Sequence, residues 1–329
     1  MADKIRWGII GTGGIAHHFA RGLGVLADAQ LVAVASRTKE SADKFGEEFN
    51  VPHRHIGAEA IAADKDVDVI YVATPHPMHV SDTITSLNGG KAVLCEKPFA
   101  MNSSEVMQMV ACAKKKKLFL MEAMWTYFLP AISEVRRLIA CGAIGEIRLV
   151  QTTFCFQCPP DPQNRFLNPA LGGGALLDVG VYEIAIAQMA YGREPVRISS
   201  MAHIGQTGVD EQEAMIFGYN NGAMAVLTCA IRAQAVNEAA IYGTDGYIRI
   251  LPNFWHSDRI ILKTGENEEK EIKFTIVGNG YNYQAAEVMQ CLRSGKTENS
   301  IMPLSTSIAM MKTMDRVRAQ WNLTYPMEK

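Results

Sequence analysis

The stretch that decides the fold is residues 5–16, IRWGIIGTGGIA. Its first half, Ile5–Ile10, is apolar without polar alternation, the pattern of a strand buried on both faces in a parallel sheet. Its second half, Gly11-Thr12-Gly13-Gly14-Ile15-Ala16, has the G-x-G-x-x-G/A form and opens a helix over Ile15–Leu26. Gly11 permits a tight turn from strand to helix, Gly13 lets the backbone approach a pyrophosphate, and Ala16 lets helix and sheet pack closely. The helix N-terminus then offers unpaired N–H groups and the positive end of a dipole to an anion. An ordinary glycine turn would not need to sit between a strand and a helix at the start of a βαβ unit. Gly11, Thr12, Gly13, Gly14 and Ile15 are therefore candidate dinucleotide-binding residues.

Strands alternate with helices up to about residue 121. Strands are predicted at Leu31–Ala35, Val67–Ala73, Ala92–Cys95 and Leu118–Met121, with helices at Lys39–Phe49, His79–Leu87 and Glu105–Lys116. This order predicts a doubly wound α/β (Rossmann) domain, placed at residues 1–123. An NAD site wants an acid at the end of the second strand to hold the ribose 2′-hydroxyl. Ser36, Arg37 and Thr38 stand there instead, with no acid before Glu40. An arginine suits a 2′-phosphate through charge-assisted bonds and can stack on adenine. The expected cofactor is NADP(H), with NAD(H) as the alternative. Ligands of such sheets bind beyond the carboxyl ends of strands. That places Thr74, Pro75, His76 and His79 of ATPHPMH (73–79), and Glu96 and Lys97 after the next strand, along the cofactor cleft. His76 and His79 have a proline between them and no acid nearby, so no metal is expected.

The texture changes after residue 125. A helix is predicted at Pro130–Ala140, a long alternating strand at 146–154 and a helix at Leu176–Ala190. Seven strands then follow, at 196–204, 212–218, 223–231, 238–243, 247–251, 259–263 and 271–276, with helices at 282–293 and 305–320. Turns such as YNNGA and YGTDGY carry hairpin chemistry. Residues 124–329 are thus expected to form an α+β domain with a large, mostly antiparallel open sheet.

Bulk properties exclude other classes. A net charge of -2 gives no field for nucleic acid or anionic lipid. No uninterrupted apolar run is long enough to span a membrane. Seven cysteines, an odd number, fit reduced thiols in a cytoplasmic protein. Cys155 and Cys158 have C-x-x-C spacing but lack a second pair or nearby histidines, and read as plain buried thiols. The run KKKK at 114–117 falls at a predicted helix end, where cations suit the dipole.

Two further segments point to chemistry. CEKPF (95–99) puts a lysine and a proline directly after a buried strand. Lysine is costly to bury, and the proline, whose peptide bond can take either the trans or the cis form, would fix the turn that aims its side chain. GGGALLDVGVYEIAIAQM (172–189) loosens the backbone before a helix on which Asp178 and Tyr182, at i, i+4, share a face. Read alone, Asp178 could be an early-helix acid and Tyr182 a half-buried core ring. If the domains bring Lys97 to them, the cation would favour the phenolate and lower the tyrosine from about 10 toward the working range. Asp178 would hold the lysine or the substrate hydroxyl, and Tyr182 would exchange a proton with a carbinol oxygen.

With these motifs in order, the chain resembles the Gfo/Idh/MocA oxidoreductases, the glucose–fructose oxidoreductase and inositol dehydrogenase group. The marks are the glycine loop at 11–16, ATPHPMH, CEKPFA, MEAMWTYFLP, GGGALLDVGVY and the closing GKTENSIMPLSTSIAMMKTMDRVRAQWNLTYP, and they span essentially the whole chain. Many members have histidine at the position of Tyr182. The resemblance implies Lys97 and Tyr182 as the catalytic pair with Asp178 assisting. It further implies Trp125, Phe154 and Phe156 in the substrate pocket, and a homodimer or homotetramer formed through the second sheet. Glu183 departs from relatives that carry proline after the tyrosine. The expected function is an NAD(P)-dependent oxidoreductase acting on a sugar, polyol or vicinal diol. The alternative is a non-catalytic dinucleotide-sensing regulator on the same fold, which would have no need of a lysine–tyrosine pair.

Overall fold

A computed structural model describes residues 4–328; the first three residues and Lys329, which fall within the expected domain spans, lie outside them. The chain begins β1 (Ile5–Ile10), α1 (Gly14–Leu23), β2 (Ala29–Ser36), α2 (Lys39–Glu48), β3 (His53–Ile56), α3 (Ala58–Ala62), β4 (Val69–Val72), α4 (His79–Asn88), β5 (Ala92–Glu96), α5 (Ser103–Lys116) and β6 (Leu120–Ala123). The strands form one parallel sheet in the order β3-β2-β1-β4-β5-β6. Every residue of β4 and β5 is buried, which is why these segments show no polar alternation. Strand order reverses between β1 and β4, and their carboxyl ends carry the glycine loop and Thr74. Three of the four consecutive lysines lie in the last turn of α5, and Lys117 ends it in a left-handed conformation.

The chain continues through α6 (Pro130–Ala140), β7 (Ile147–Cys155), α7 (Val181–Tyr191), β8 (Arg197–Ile204), β9 (Asp210–Gly218), β10 (Met224–Ala230), β11 (Ala239–Gly243), β12 (Gly246–Ile250), β13 (Arg259–Thr264), β14 (Lys270–Lys273), α8 (Tyr281–Arg293) and α9 (Leu304–Ala319). The eight strands form a second sheet ordered β14-β13-β12-β11-β7-β10-β9-β8. All its pairings are antiparallel except β7 with β10. Near its β8 edge one face carries the exposed apolar side chains Met201, Ile216 and Met224.

Two points go beyond the sequence reading. The chain packs as two compact units that exchange segments. One compact unit takes the chain up to Trp125 together with Val277–Ile308, and the other takes Thr126–Ile276 and the chain from Ala309 onward. The returning segment docks on the first unit through specific bonds. Leu120 N donates to Thr297 O at 3.1 Å, and Asn279 Nδ2 donates to His18 O at 2.7 Å. Gly22 of α1 lets α8 approach so closely that a Cβ there would lie 3.0 Å from Tyr281 Cβ. Second, β3 and α3 were not anticipated. HRHI is a short polar strand at the sheet edge, where charge is favoured and the apolar signal is lost. The segment Pro169–Tyr191 has the length and apolar content of a membrane span, yet 89% of its apolar window is buried inside the fold.

Candidate active site

In the first unit, Gly11 has φ +103°, and a Cβ there would lie 2.6 Å from the carbonyl oxygen of Ala73, so only glycine fits this turn. Gly13 and Gly14 are exposed, and a Cβ at either would meet nothing within 4 Å. Among the described residues no side chain caps the N-terminus of α1, so its first N–H groups remain available to a ligand. Ile15 is half-buried behind them. Thr12 and Ser36 hydroxyls meet at 3.2 Å, tying the loop to the end of β2. Arg37 follows, exposed and without an ion pair among the described residues. An open glycine cradle, uncapped donors and a rim arginine fit a dinucleotide that carries phosphates.

The neighbouring loops separate into groups that face outward and groups that hold the frame. Pro75 is exposed and Thr74 half-buried. The Thr74 hydroxyl donates to Asp82 Oδ2 at 2.7 Å. His76 is 8% exposed. His79 is fully buried; its Nδ1 lies 2.8 Å from Pro98 O and its Nε2 2.9 Å from Thr74 O. Burial pushes its imidazole down to about 4. Its neutral ring carries one N–H, which donates to one of these two carbonyls, and the side chain sits between the two loops. Glu96 is also bonded within the frame. It is buried, accepts a short bond from the Tyr71 hydroxyl, and its Oε2 accepts from Lys97 N at 3.3 Å. Lys97 itself is half-buried at the end of β5, and the Lys97–Pro98 peptide is cis. On β6, Glu122 accepts from Phe99 N at 3.1 Å, and burial pushes its carboxyl up to about 7. Trp125 stacks on Tyr281, with centroids 4.4 Å apart and planes at 12°.

In the second unit, Gly172 and Gly174 take φ +70° and +118°. A Cβ on Gly174 would lie 2.3 Å from Asp210 Oδ1, so the loop requires glycine at that close approach. The expected helix then divides. Leu176–Gly180 forms a buried π turn before α7 begins at Val181. Asp178 lies in that turn and Tyr182 in the first turn of α7, so their i, i+4 spacing straddles two helical geometries. π turns of this kind recur at functional sites. Asp178 Oδ1 accepts from Arg165 Nη1 at 2.9 Å. Sequence reasoning missed Arg165, a loop residue with no periodic signal. Its guanidinium also lies over the Phe166 ring, 3.9 Å from the centroid, and Phe166 meets Phe156 edge-on.

Tyr182 is 6% exposed. Its ring lies 5.6 Å from that of Phe154. Phe154 in turn stacks on Trp255 at 3.6 Å and 7°, and meets Phe254 edge-on. Trp255 and Phe254, on a short turn after β12, were also missed. The next residue, Glu183, turns inward and is fully buried. It accepts from the Thr152 hydroxyl at 3.3 Å, and burial pushes it up to about 8. Beside it lie Glu213 and Cys229, whose Oε1 and Sγ are 2.6 Å apart, and Asp210, which accepts from Leu176 N at 2.6 Å. Burial raises all three, Asp210 to about 7. The cluster packs directly under the π turn. A Cβ on Gly180 would lie 2.9 Å from Cys229 Sγ. All seven cysteines are free, and Cys155 is pushed up to about 11 by burial, as suits unreactive thiols.

Comparison with known proteins identifies the scaffold. Residues 5–124 match an oxidoreductase family with an NAD-binding Rossmann fold, and residues 132–249 match the GFO/IDH/MocA C-terminal domain. The chain is 38% identical to a trans-1,2-dihydrobenzene-1,2-diol dehydrogenase from Xenopus tropicalis, over 99% of this chain and all of the relative. The enzyme of that name from Homo sapiens is 36% identical over 99% of both chains. Among solved structures, an aldose-aldose oxidoreductase from Caulobacter crescentus in complex with glycerol superposes with a TM-score of 0.88 at 25% identity, covering 97% of this chain and 98% of that one. A 3-ketoreductase from Actinomadura kijaniata, solved with NADP, shares the fold with a TM-score of 0.85 at 24% identity, covering 96% and 98%. The chain belongs to the Gfo/Idh/MocA family of NAD(P)-dependent oxidoreductases.

Proposed function

We propose that this oxidoreductase prefers NADP(H) and acts on the carbinol or carbonyl of a sugar, polyol or vicinal diol, with Tyr182 as the acid/base. The observation that carries the reading is the setting of Tyr182. Its phenol stands at the head of α7 beside the Phe154–Trp255 stack and one turn from Asp178, which Arg165 holds. Aromatic faces suit the C–H face of a sugar or the ring of an aromatic diol. Relatives that span the full chain are named as diol dehydrogenases, and a solved relative as an aldose-aldose oxidoreductase. These names weigh against a non-catalytic sensor.

In this reading the N–H groups at Gly13 and Gly14 bind the pyrophosphate, and Ser36 and Arg37 bind the ribose phosphate. A bound nicotinamide supplies the hydride acceptor or donor. Tyr182 Oη gives a proton to the substrate oxygen or takes it away. Lys97 Nζ acts on the same oxygen and favours the phenolate. Asp178, fixed by Arg165, orients the substrate hydroxyl. Trp125 and Phe156 are proposed as further walls of the substrate pocket. The exposed face with Met201, Ile216 and Met224 is proposed to pair two copies of the chain, and the seven free thiols suit a cytoplasmic location.

The test is a screen of NADPH and NADP⁺ against aldoses, aldehydes, dicarbonyls and diols, followed by Tyr182→Phe on whichever substrate turns over. Turnover is expected to fall about 10²-fold or more, with NADPH binding unchanged by fluorescence titration. Unchanged turnover in the variant would remove Tyr182 from this role.

A further inference from the structure

Two histidines and an aspartate converge at the edge of the first unit, in a segment to which the oxidoreductase reading gives no role. β3 is the outermost strand of the parallel sheet. Its i, i+2 spacing puts His53 and His55 on one face, and the chain returning from α3 sets Asp64 against both rings. Asp64 Oδ2 lies 2.7 Å from His53 Nδ1 and 2.8 Å from His55 Nε2. The three donor atoms all fall within 4.8 Å of one another. The imidazole planes cross at 88°, so the two nitrogens approach the carboxylate oxygen from different directions.

The surroundings favour a cation at this point. The Asp64 side chain is only 7% exposed, and its Oδ1 is oriented by Asp66 N at 2.9 Å. The second nitrogen of His53, Nε2, lies 3.9 Å from Asp66 Oδ2. A carboxylate on the far nitrogen fixes the tautomer of a metal-bound imidazole. The nearby cations are engaged with other groups. Arg6 pairs with Asp66 and Asp68, and Lys91 Nζ donates to the carbonyls of Asp64 and Val67. The rings of His53 and His55 are 36% and 24% exposed, which leaves a path from solvent and room for water.

We propose that His53 Nδ1, His55 Nε2 and Asp64 Oδ2 bind one divalent transition-metal ion of the Zn²⁺ class, with water completing the coordination. Two imidazoles and one carboxylate are an ordinary donor set for such an ion. Metal–ligand bonds of about 2.0–2.2 Å in a tetrahedral arrangement set donors about 3.3 Å apart. The two His–Asp separations therefore open by about half an ångström, and His53 Nδ1 and His55 Nε2, which lie within 4.8 Å of each other, settle to the same spacing by side-chain rotation. Each ring proton now facing Asp64 moves to the other nitrogen of its ring, that of His53 toward Asp66. The ion would join β3 to the chain after α3, and between them Gly57 N donates to Ser36 O at 3.0 Å.

The test uses the full chain, stripped of metal with EDTA and titrated with Zn²⁺ against a chromophoric chelator, with Co²⁺ as a spectroscopic substitute. One Zn²⁺ per chain is expected at a Kd of about 10 μM or tighter, with a rise in melting temperature. Co²⁺ should give visible bands of tetrahedral intensity and no thiolate charge-transfer band. Asp64→Asn and His55→Gln should each weaken Zn²⁺ at least about tenfold and abolish the thermal shift, whereas Cys112→Ser and Cys141→Ser should change neither. Should Asp64→Asn fail to fold, His53→Gln serves in its place. Absence of stoichiometric Zn²⁺ binding by the wild-type chain, or equal affinity in the histidine and aspartate variants, would overturn the proposal.

Discussion

Replacing Glu183 by glutamine should make the protein's stability less sensitive to alkali. Glu183 is fully buried, and no hydrogen bond reaches its Oε2 among the described residues. Burial pushes its carboxyl from 4.5 to about 8. A carboxyl raised in the folded state holds a proton that the unfolded chain has already released. Its stabilising share is therefore complete below the unfolded value and is lost as pH rises through the folded one. While the folded chain holds one more proton, stability falls by about 1.4 kcal/mol per pH unit. From pH 5 to pH 8 that amounts to roughly 4 kcal/mol, or about 10 °C in melting temperature for a domain of this size. Glutamine keeps the oxygen that accepts from the Thr152 hydroxyl and has no proton to lose. Wild type and variant should melt together near pH 5, and the variant should melt higher at pH 8. Some slope will persist in both, because Asp210 and Glu122, each near 7, titrate in the same window with the same sign. The assay is differential scanning calorimetry across buffers of constant ionic strength. Melting curves that run parallel in pH for the two proteins would refute an ionisable, buried Glu183.

Three further outcomes follow from single side chains. Arg37→Ala should weaken NADP(H) about tenfold or more while leaving NAD(H) nearly unchanged in equilibrium titrations; equal losses would deny a contact to the 2′-phosphate. Arg165→Ala leaves Asp178 without its 2.9 Å partner, and kcat/KM should fall about tenfold with cofactor affinity intact; unchanged kinetics would free Asp178 from this clamp. Ile216→Asp, placed on the exposed apolar face, should convert a dimer to a monomer in size-exclusion chromatography with light scattering; an unchanged mass would put any interface elsewhere.

What the sequence made legible divides along a physical line. Features set by a few consecutive residues could be read directly. The turn at Gly11 was one, because φ +103° beside the Ala73 carbonyl admits no other residue. The unbroken apolar runs of β4 and β5 were another, because both their faces are covered. Features that depend on residues distant in the chain could not. Arg165 sits in an irregular loop, and its meaning comes only from an aspartate 13 positions away whose own orientation depends on a π turn. That turn has no periodic signature of its own and read as plain helix. Glu183 stood out as a departure after the tyrosine, but nothing local shows that it turns inward to Thr152, Glu213 and Cys229, which three separate strands supply. His79 and Glu96 show what chain position alone does not disclose. Both lie in loops and strand ends that line a ligand cleft in this topology, yet backbone carbonyls and Tyr71 claim their polar atoms. Position along the chain identifies which loops face the cleft; only the hydrogen-bond partners decide which side chains within those loops are left to act there. Arg37, exposed and without an ion pair among the described residues, suits the proposed contact to a cofactor phosphate, whereas His79 lies buried against the carbonyls of Thr74 and Pro98.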